Sequence, residues 1–422
     1  MATLDGSIEA HAESAFAFLE ALVRSPSTAG REQGALEVFA SEMVALGLAV
    51  RRLPFANGHV SHPSAGIAVP HEVASPDRFQ VLATTLGDGH LDLLLNGHID
   101  VVPADSPQLW TTPPFAPARR DGKMFGRGAA DMKSGLAVGA LALRALRDVK
   151  PDLFAKHRLG FIAVIEEECT GNGTLRSVTD HKVTANEVVL LEPTDLGLLV
   201  GGVGVLWVDA EIAAQAGHAH DATAHSSAID LGLKLVERLS HWSEEIGRGW
   251  PEPSMPSNRN PYALNIGKIN AGDWTSSVAS HAVFSLRIGY PRAWTPERAE
   301  VEVRNVIRSF SETSGFAIPP TVRLTGFRAQ GYLLEHDTTL VRDLSAAHRA
   351  AHGNDPAVYS LGSTTDARTY LNEAGIPAVC YGAVAHNMHG IDEAVELRSI
   401  IDAAKTLARF ILMRFDPAGE TP

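Results

Sequence analysis

The segment LDLLLNGHIDVVP (91–103) joins an apolar run to a histidine and an aspartate that lie two residues apart. A run of this kind is typical of a strand that is buried on both faces of a mainly parallel sheet. Because side chains alternate along a strand, we expect His98 and Asp100 on the same face, where the strand ends. A metal ion could bind the imidazole while the aspartate holds the second ring nitrogen. The alternative is an ordinary surface histidine that follows a strand.

Similar apolar runs recur along the chain and predict further strands of the same sheet. They are FQVLATTL (79–86), LGFIAVIE (159–166), NEVVLLEP (186–193) and IPAVCYG (376–382). Helices that pack on this sheet are predicted from segments with helical apolar spacing, which lie at 8–24, 33–46, 131–146 and 394–415. The sequence therefore predicts an α/β fold with a mainly parallel mixed sheet flanked by helices.

The pattern changes in the middle of the chain. Between residues 203 and 324 the strand-like segments alternate polar and apolar residues, and residues 226–242 have the spacing of an amphipathic helix. Two β-α units of this kind make a small α+β layer. We therefore predict a discontinuous α/β domain, residues 1–202 and 325–422, with an inserted ferredoxin-like α+β domain at 203–324.

Composition and charge limit the partners of the protein. The 49 Asp and Glu outnumber the 36 Lys and Arg, and a net charge of −13 gives no electrostatic reason to bind nucleic acid or an anionic membrane. No segment approaches the ~18 consecutive apolar residues of a membrane span. The two cysteines, Cys169 and Cys380, are far apart in sequence, which suits a reducing compartment better than an exported protein. We expect a cytoplasmic protein that binds a small molecule.

Acidic residues and a second histidine occur near the other predicted strands. Asp131 lies in FGRGAADMKSG (125–135), just before a helix, where a carboxylate could bridge two cations or, as the commoner alternative, cap the helix. Three consecutive glutamates follow a buried strand in FIAVIEEECTGNGT (161–174). Either a cation offsets their repulsion, or they form a solvated turn. Glu192 and His389 follow two further strands.

The loops after the strands of an open α/β sheet meet at one edge, so these positions are expected to converge. The candidate metal ligands are two histidines and three carboxylates: His98, Asp131, Glu168, Glu192 and His389. This set of donors suits a borderline cation such as zinc. The lack of usable cysteine ligands argues against a structural zinc finger.

Seven segments, in this order along the chain, resemble the motifs of a family of co-catalytic zinc hydrolases: GHIDVVP, GRGAADMKSG, EEECTGNGT, EPT, GHAHDATAHSSAI, GSTTDAR and HGIDE. The family includes acetylornithine deacetylase, succinyl-diaminopimelate desuccinylase, aminoacylases and glutamate-releasing carboxypeptidases. The resemblance implies a zinc-peptidase-like catalytic domain that holds two Zn²⁺, or Co²⁺ or Mn²⁺, with Asp131 between them. His98 and Glu192 would complete one site, and Glu168 and His389 the other.

The resemblance also implies roles for residues beside the metal ligands. The Gly-Thr pair at 173–174 fixes the register of the acidic cluster, so that Glu167 falls on the general base and Glu168 on the ligand. Asp100 corresponds to the acid that orients His98.

Four further positions match family residues that contact substrate. His218, in QAGHAH (215–220), matches a histidine that reaches the oxyanion from the small domain, often from a neighbouring subunit. A homodimer through the inserted domain is implied. Arg287 matches an arginine that clamps a substrate carboxylate. Thr364 and Arg368 lie where related desuccinylases contact the acyl group.

The function that the resemblance implies is metal-dependent amide hydrolysis. A water activated by two zinc ions would release an acyl group from an N-acyl amino acid or a similar small carboxylate, with Glu167 transferring the proton. A dipeptidase or carboxypeptidase with the same site is the alternative. A metal- or substrate-binding relative that no longer catalyses is a hypothesis of another class, and Glu167 argues against it because a binding protein needs no general base.

Overall fold

The computed structural model of the chain describes residues 3–55, 60–68, 77–224, 227–252, 255 and 260–416. Within these ranges the strands are β1 (Ala49–Pro54), β2 (Phe79–Thr84), β3 (Leu93–His98), β4 (Ala118–Arg120), β5 (Lys123–Phe125), β6 (Leu159–Val164), β7 (Val188–Leu190), β8 (Leu198–Gly202), β9 (Gly204–Ala213), β10 (Leu264–Ala271), β11 (His281–Tyr290), β12 (Thr321–Ala329), β13 (Tyr332–Leu333), β14 (Val358–Leu361), β15 (Ala378–Cys380), β16 (Ala385–His386) and β17 (Ala394–Glu396). The helices are α1 (Leu4–Arg24), α2 (Gln33–Ala45), α3 (Lys133–Val149), α4 (Asp152–Lys156), α5 (Asn172–Thr179), α6 (Ala228–Gly249), α7 (Pro296–Ser311), α8 (Thr339–His352), α9 (Ala367–Thr369) and α10 (Leu397–Phe415).

A mixed sheet of nine strands forms the centre of the described chain. Its order is β1-β2-β6-β3-β7-β15-β8-β13, and β14 also pairs with β8. The central strands β6, β3, β7 and β15 are parallel, whereas antiparallel pairs lie on both sides of them. Strands β2, β3 and β6 are buried at every position, as their continuous apolar runs predict. The predicted α/β fold, with helices flanking a mixed sheet, is confirmed.

Helix α3 lies so close to this sheet that two of its positions have no room for a side chain. A Cβ at Gly135 would lie 1.9 Å from the carbonyl oxygen of Leu191, and a Cβ at Gly139 would lie 2.6 Å from the ring of Phe161. Glycine at both positions therefore lets the start of the helix approach the end of β7. This approach places Asp131, two residues before the helix, at the edge of the sheet.

A second sheet, with the order β10-β11-β9-β12, lies within residues 204–329. All of its neighbouring strands are antiparallel, and α6 and α7 pack against it around a core that is separate from that of the large sheet. The connection β-α-β-β-α-β is that of a ferredoxin-like layer. The helix predicted at 226–242 is α6, and residue 226 lies outside the described residues.

A third, small sheet joins β16, β17, β5 and β4. The pairing of Phe125 with Ala394 brings the loop after β5 next to the loop before β17. These loops carry Asp131 and His389. In the described part of the chain, none of the helices combines the length and the apolar character that crossing a membrane requires.

Candidate metal centre

The carboxyl ends of β3, β6 and β7 open at one edge of the large sheet. His98 ends β3, the glutamates 166–168 follow β6, and Glu192 follows β7. His389 comes from the segment after β15, and Asp131 comes from the loop before α3. The fold thus brings the predicted ligands to the edge where open α/β sheets place their sites.

Asp131 lies between the two histidines. Its Oδ1 is 3.1 Å from Nε2 of His98, and its Oδ2 is 3.4 Å from Nε2 of His389. Glu192 Oε2 lies 3.8 Å from His98 Nε2, and Glu168 Oε2 lies 3.0 Å from His389 Nε2. The side chains therefore form two groups of three that share Asp131, and these are the two groups that the resemblance implies.

The chemistry of these donors fits divalent cations. Ligand atoms of His98, Asp131 and Glu168 all lie within 4.8 Å of one another, so the two groups of three are in close proximity on either side of the shared Asp131. Imidazole nitrogen and carboxylate oxygen are the ligands that zinc takes in catalytic sites, and cobalt and manganese accept them as well. The site is therefore able to hold a metal pair, with Asp131 between the two ions.

The carboxyl groups of the site carry more negative charge than the histidines compensate. Burial raises the pKa of Glu192 to about 8, against the attraction of His98. Burial also raises the pKa of Glu167 well above its usual range, and the charge of Glu192 adds to this effect. Carboxyl groups that repel one another in a buried site are stabilised when a cation binds between them.

The histidines respond to the same carboxyl groups in the opposite direction. Burial lowers the pKa of His98, but its hydrogen bond with Asp131 and the nearby carboxylates outweigh burial and raise that pKa well above its usual value. The negative charge of Glu168 raises the pKa of His389 to about 11. Burial opposes ionisation of Asp131, yet its hydrogen bonds with the two histidines lower its pKa. A bound cation would take the place of protons on these imidazoles, since metal ligands must be deprotonated.

Asp100 contacts both His98 and the loop of the glutamates. His98 Nδ1 lies 2.9 Å from the backbone carbonyl oxygen of Asp100 and 3.8 Å from its carboxylate. A carbonyl oxygen only accepts, so Nδ1 carries the proton and Nε2 is left for a metal. The Asp100 carboxylate instead accepts the backbone N–H groups of Glu167 at 3.3 Å and Glu168 at 3.0 Å. In this structure the carbonyl is therefore the nearer acceptor for His98, and the carboxylate fixes the loop of the glutamates. The catalytic role of the Asp100 carboxylate stays a prediction.

Two structural alternatives from the sequence are excluded. Asp131 does not cap α3, because Met132 occupies the N-cap position and no side chain accepts a hydrogen bond there. The acidic cluster is not a solvated turn, because Glu166 and Glu167 are 3% and 7% exposed. Glu166 accepts a 2.5 Å hydrogen bond from the buried guanidinium of Arg78.

Glu393 supports the loop that carries Asp131, a role that the sequence motifs did not indicate. Its carboxylate accepts the backbone N–H groups of Gly128, Ala130 and Asp131 at 3.0–3.1 Å. Arg127 donates to the same carboxylate at 2.5 Å. Glu393 thereby holds the loop that carries Asp131. Its position at the end of HGIDE was the available signal, but an acidic residue in a motif does not reveal that it binds backbone rather than metal.

A cavity of about 960 Å³ lies between the metal centre and the inserted sheet. The residues of the metal centre that line it are Asp131, Glu167, Glu168, Glu192 and His389. Two of the predicted substrate contacts, Arg287 and Thr364, line it as well. The predicted general base, four of the five predicted metal ligands and two predicted substrate contacts therefore line one cavity.

Arg287 is placed to bind an anion. It donates to the backbone oxygens of Ala263 at 3.0 Å and Gly362 at 2.7 Å. Burial alone lowers the pKa of Arg287, and the ion pairs found among the described residues leave it without a carboxylate. A half-buried cation in a cavity, held by carbonyl groups, is a ready partner for a substrate carboxylate.

Arg368 and His218 do not line the cavity themselves, although the guanidinium of Arg368 lies 5.2 Å from the ring of the lining residue Phe327. Arg368 is buried and donates to the backbone oxygens of Thr365 at 3.0 Å and Thr170 at 3.3 Å. His218 is exposed, with Nδ1 2.7 Å from Nδ1 of His220. Within one chain, the structure does not bring these two residues together with the metal centre.

The fold and the site define a metal-dependent hydrolase with room for two cations. The chain belongs to peptidase family M20/M25/M40, whose sequence pattern matches residues 94–413. It is 29% identical over 418 residues to a succinyl-diaminopimelate desuccinylase of Methylobacterium sp. (strain 4-46), covering 97% of this chain and 98% of the relative. Its fold is similar to that of the dipeptidase Dug1p from Saccharomyces cerevisiae, with a TM-score of 0.78, 13% identity and 98% of each chain covered.

The fold is also similar to that of a second solved structure. The YXEP protein of Bacillus subtilis, a dinuclear metal-binding peptidase of the M20 family, matches with a TM-score of 0.59 and 15% identity, covering 97% of this chain and 99% of the other. The resemblance that the sequence motifs indicated is confirmed, and so is the assignment of the chain to metal-dependent amide hydrolases.

Proposed function

We propose that this protein is a deacylase that uses a pair of zinc ions to release the acyl group of an N-acylated amino acid or a similar small carboxylate. The observation that carries the proposal is the position of Asp131 between His98 and His389, with Glu167 in the same cavity. The desuccinylase relative, which matches along nearly the whole chain, supports an acyl group as the part released.

Glu167 is the residue that moves protons in this proposal. Two divalent cations, when bound, would lower the pKa of a water between them and polarise the amide oxygen. The Glu167 carboxylate takes a proton from the attacking water and then gives it to the nitrogen of the leaving amine. Glu167 lines the same cavity as Asp131, Glu168, Glu192 and His389, which places its carboxylate beside the site where the two cations would bind.

Arg287 and Thr364 position the substrate. Arg287 pairs with the substrate carboxylate, since its guanidinium lines the cavity and donates only to backbone carbonyl groups among the described residues. Thr364 lines the same cavity and contacts the acyl group of the substrate. Arg368 supports Thr364, whose Oγ1 lies 3.5 Å from its guanidinium, and its own contact with the acyl group stays a prediction.

A homodimer through the inserted domain would bring His218 to the oxyanion of the other subunit. His218 is exposed, and its own cavity is lined by other residues of the described chain. Strand β10 is at the edge of its sheet, where unpaired backbone groups favour association. Ile269 on this strand is 50% exposed, and Leu233 on the adjoining α6 is 48% exposed. We propose that two copies join along this border.

We also propose that the protein is cytoplasmic. Its two cysteines are far apart in sequence, which suits a reducing compartment.

A dipeptidase or carboxypeptidase is the second candidate function. The contact that favours it is also Arg287, because a peptide with a free C-terminus presents the same carboxylate next to a scissile amide. The catalytic steps would be unchanged, and only the group on the carbonyl side would differ.

Hydrolysis of a substrate panel by the zinc- or cobalt-loaded protein tests the proposal. We expect release of amino acid from N-acetyl, N-formyl or N-succinyl amino acids, and no turnover by the E167Q variant at unchanged metal content. Faster hydrolysis of dipeptides would favour the second candidate. Full metal content without turnover of any compound would indicate a binding protein that no longer catalyses, and activity in E167Q would contradict the assigned base.

A further inference from the structure

An apolar cluster on the inserted-domain side of the cavity has no part in the catalytic steps. The rings of Trp207 and Phe327 meet edge to face with centroids 5.3 Å apart, a favourable arrangement for an aromatic pair. Val205 and Ala329 pack with them, and this cluster is separate from the main cores. Val205, Trp207 and Phe327 all line the cavity.

The backbone of β12 holds the two rings in place. Its register against β9 shifts between Thr325 and Arg328, so that Gly326 and Phe327 form a bulge. A bulge changes the direction of the side chain that it carries. Gly326 has a φ of +51°, and a Cβ there would lie 2.2 Å from the indole of Trp207. Glycine therefore leaves the space in which the indole lies beside the bulge.

The other side of the cluster comes from the loop at 60–68. Ile67 and Gly326 exchange two backbone hydrogen bonds of 2.7 and 2.8 Å. Ile67 lines the cavity and remains 38% exposed. We call Ile67, Val205, Trp207 and Phe327 the apolar wall. Contiguous apolar surface inside a cavity of this size is typical of a ligand-binding surface.

The acidic neighbour of the apolar wall on the same sheet, Asp209, is already paired. Asp209 accepts hydrogen bonds from Ser285 and Arg323, each at 2.7 Å. Lys268 also lines the cavity, but it is exposed. The polar groups beside the apolar wall therefore offer no buried, unpaired carboxylate for a cationic substrate group.

Sheet register places the apolar wall next to the anion-binding residue. Trp207 on β9 is directly opposite Arg287 on β11. Cβ atoms of such a pair are about 4.5–5.5 Å apart and point to the same face. In an N-acyl amino acid, the carbon that bears the carboxylate also bears the amino-acid side chain. When Arg287 holds that carboxylate, the side chain is therefore within reach of Trp207.

We infer that the amino acid released by this enzyme has a large apolar side chain, aromatic or branched aliphatic, that packs on the apolar wall. The inference rests on the proposed deacylase function. The inference separates this chain from enzymes that release a diamino acid. The side-chain ammonium group of such a substrate would lose its hydration at the apolar wall without gaining a buried carboxylate as a partner.

Varying only the amino acid tests the inference. The kcat/KM of the zinc-loaded protein is measured for N-acetyl-L-phenylalanine, N-acetyl-L-leucine, N-acetyl-L-alanine and N-acetyl-L-ornithine. We expect the first two to exceed the last two by about tenfold or more, since apolar contacts of this size discriminate to that extent. The W207S variant should lose most of the phenylalanine-to-alanine ratio through KM, and the matched W207F variant should keep it. A preference for ornithine, or an unchanged ratio in W207S, would overturn the inference.

Binding distinguishes this inference from the proposed function. Calorimetry on the zinc-loaded E167Q variant compares N-acetyl-L-phenylalanine with N-acetyl-L-ornithine, and the E167Q/W207S double variant serves as the comparison. Tighter binding of the phenylalanine compound, lost in the double variant, supports the apolar wall even when the parent protein hydrolyses none of these amides. Equal binding refutes the apolar wall, whereas rapid hydrolysis of the ornithine compound would leave the deacylase function standing.

Discussion

Glu393 is a single residue on which the geometry of the metal centre depends. Its carboxylate accepts hydrogen bonds from three backbone N–H groups of the Asp131 loop and from Arg127. In the E393Q variant the side-chain NH₂ group cannot accept these bonds, so the loop loosens. We expect zinc affinity to fall by about 10- to 100-fold, the usual effect of removing a group that supports a metal ligand.

Competition with a chromogenic chelator measures that affinity. The matched control is E335Q, which changes an exposed glutamate and should bind zinc like the parent. Parental zinc affinity in E393Q would show that the loop keeps its position without the carboxylate.

Arg78 provides a stability prediction at the same scale. Its buried guanidinium donates to Glu32 and Glu166 at 2.5 Å each. Replacing it with alanine leaves two buried carboxylates without their partner, which costs about 3–5 kcal/mol in comparable cases. Urea unfolding should show this loss for R78A and a far smaller one for R52A, because Arg52 pairs with Glu37 at the exposed surface. Similar losses in both variants would contradict the role given to burial.

At the scale of elements, α8, β15 and α10 meet at a buried histidine. His348 is 3% exposed, and its Nδ1 lies 2.8 Å from the hydroxyl of Tyr381. Burial, aided by the positive charge of His352, lowers the pKa of His348 from 6.5 to about 4. Between these pH values the unfolded chain binds a proton here that the folded chain does not bind. Stability is therefore lost as the pH falls from 6.5 towards 4, and this histidine has no such effect above that window.

Thermal unfolding between pH 6.5 and 4.5 checks this expectation. The fall in melting temperature on acidification should be smaller for H348Q than for the parent. H241Q, which changes an exposed histidine of α6, should give a curve parallel to that of the parent. Parallel curves for H348Q and the parent would mean that acid destabilisation arises at other groups.

Elements differ in how far the sequence determines them. Strands β3 and β6 were predictable because burial on both faces requires a continuous apolar run. Strands β5 and β17 have three residues each, too few to show a period, yet their pairing joins the loops of Asp131 and Glu393. The hydrogen bond between His98 and the carbonyl of Asp100 was not predictable either, because residue type does not tell whether the carboxylate or the backbone carbonyl lies nearer the imidazole.

At the scale of the whole molecule, the inserted domain connects three features that lie far apart in sequence. Its inner face supplies Arg287 and the apolar wall to the cavity. Its border with β10 and α6 is exposed and apolar at Ile269 and Leu233. Its loop at His218 is exposed and lies away from the described cavity lining. A second copy that joins at this border would explain why a residue expected at the oxyanion is not in its own cavity.

Subunit complementation tests this arrangement. The E167Q and H218A chains are co-expressed with different tags, and the heterodimers are purified through both tags. One site of each heterodimer then has an intact Glu167. If His218 acts across the interface, the same site also receives an intact His218 from the other chain. We expect such heterodimers to have about half the parental activity per dimer, as two-fold symmetry requires, whereas each variant alone is nearly inactive. If His218 acts within its own chain, both sites of the heterodimer lack one group and activity does not recover. A monomer by light scattering would exclude the arrangement directly.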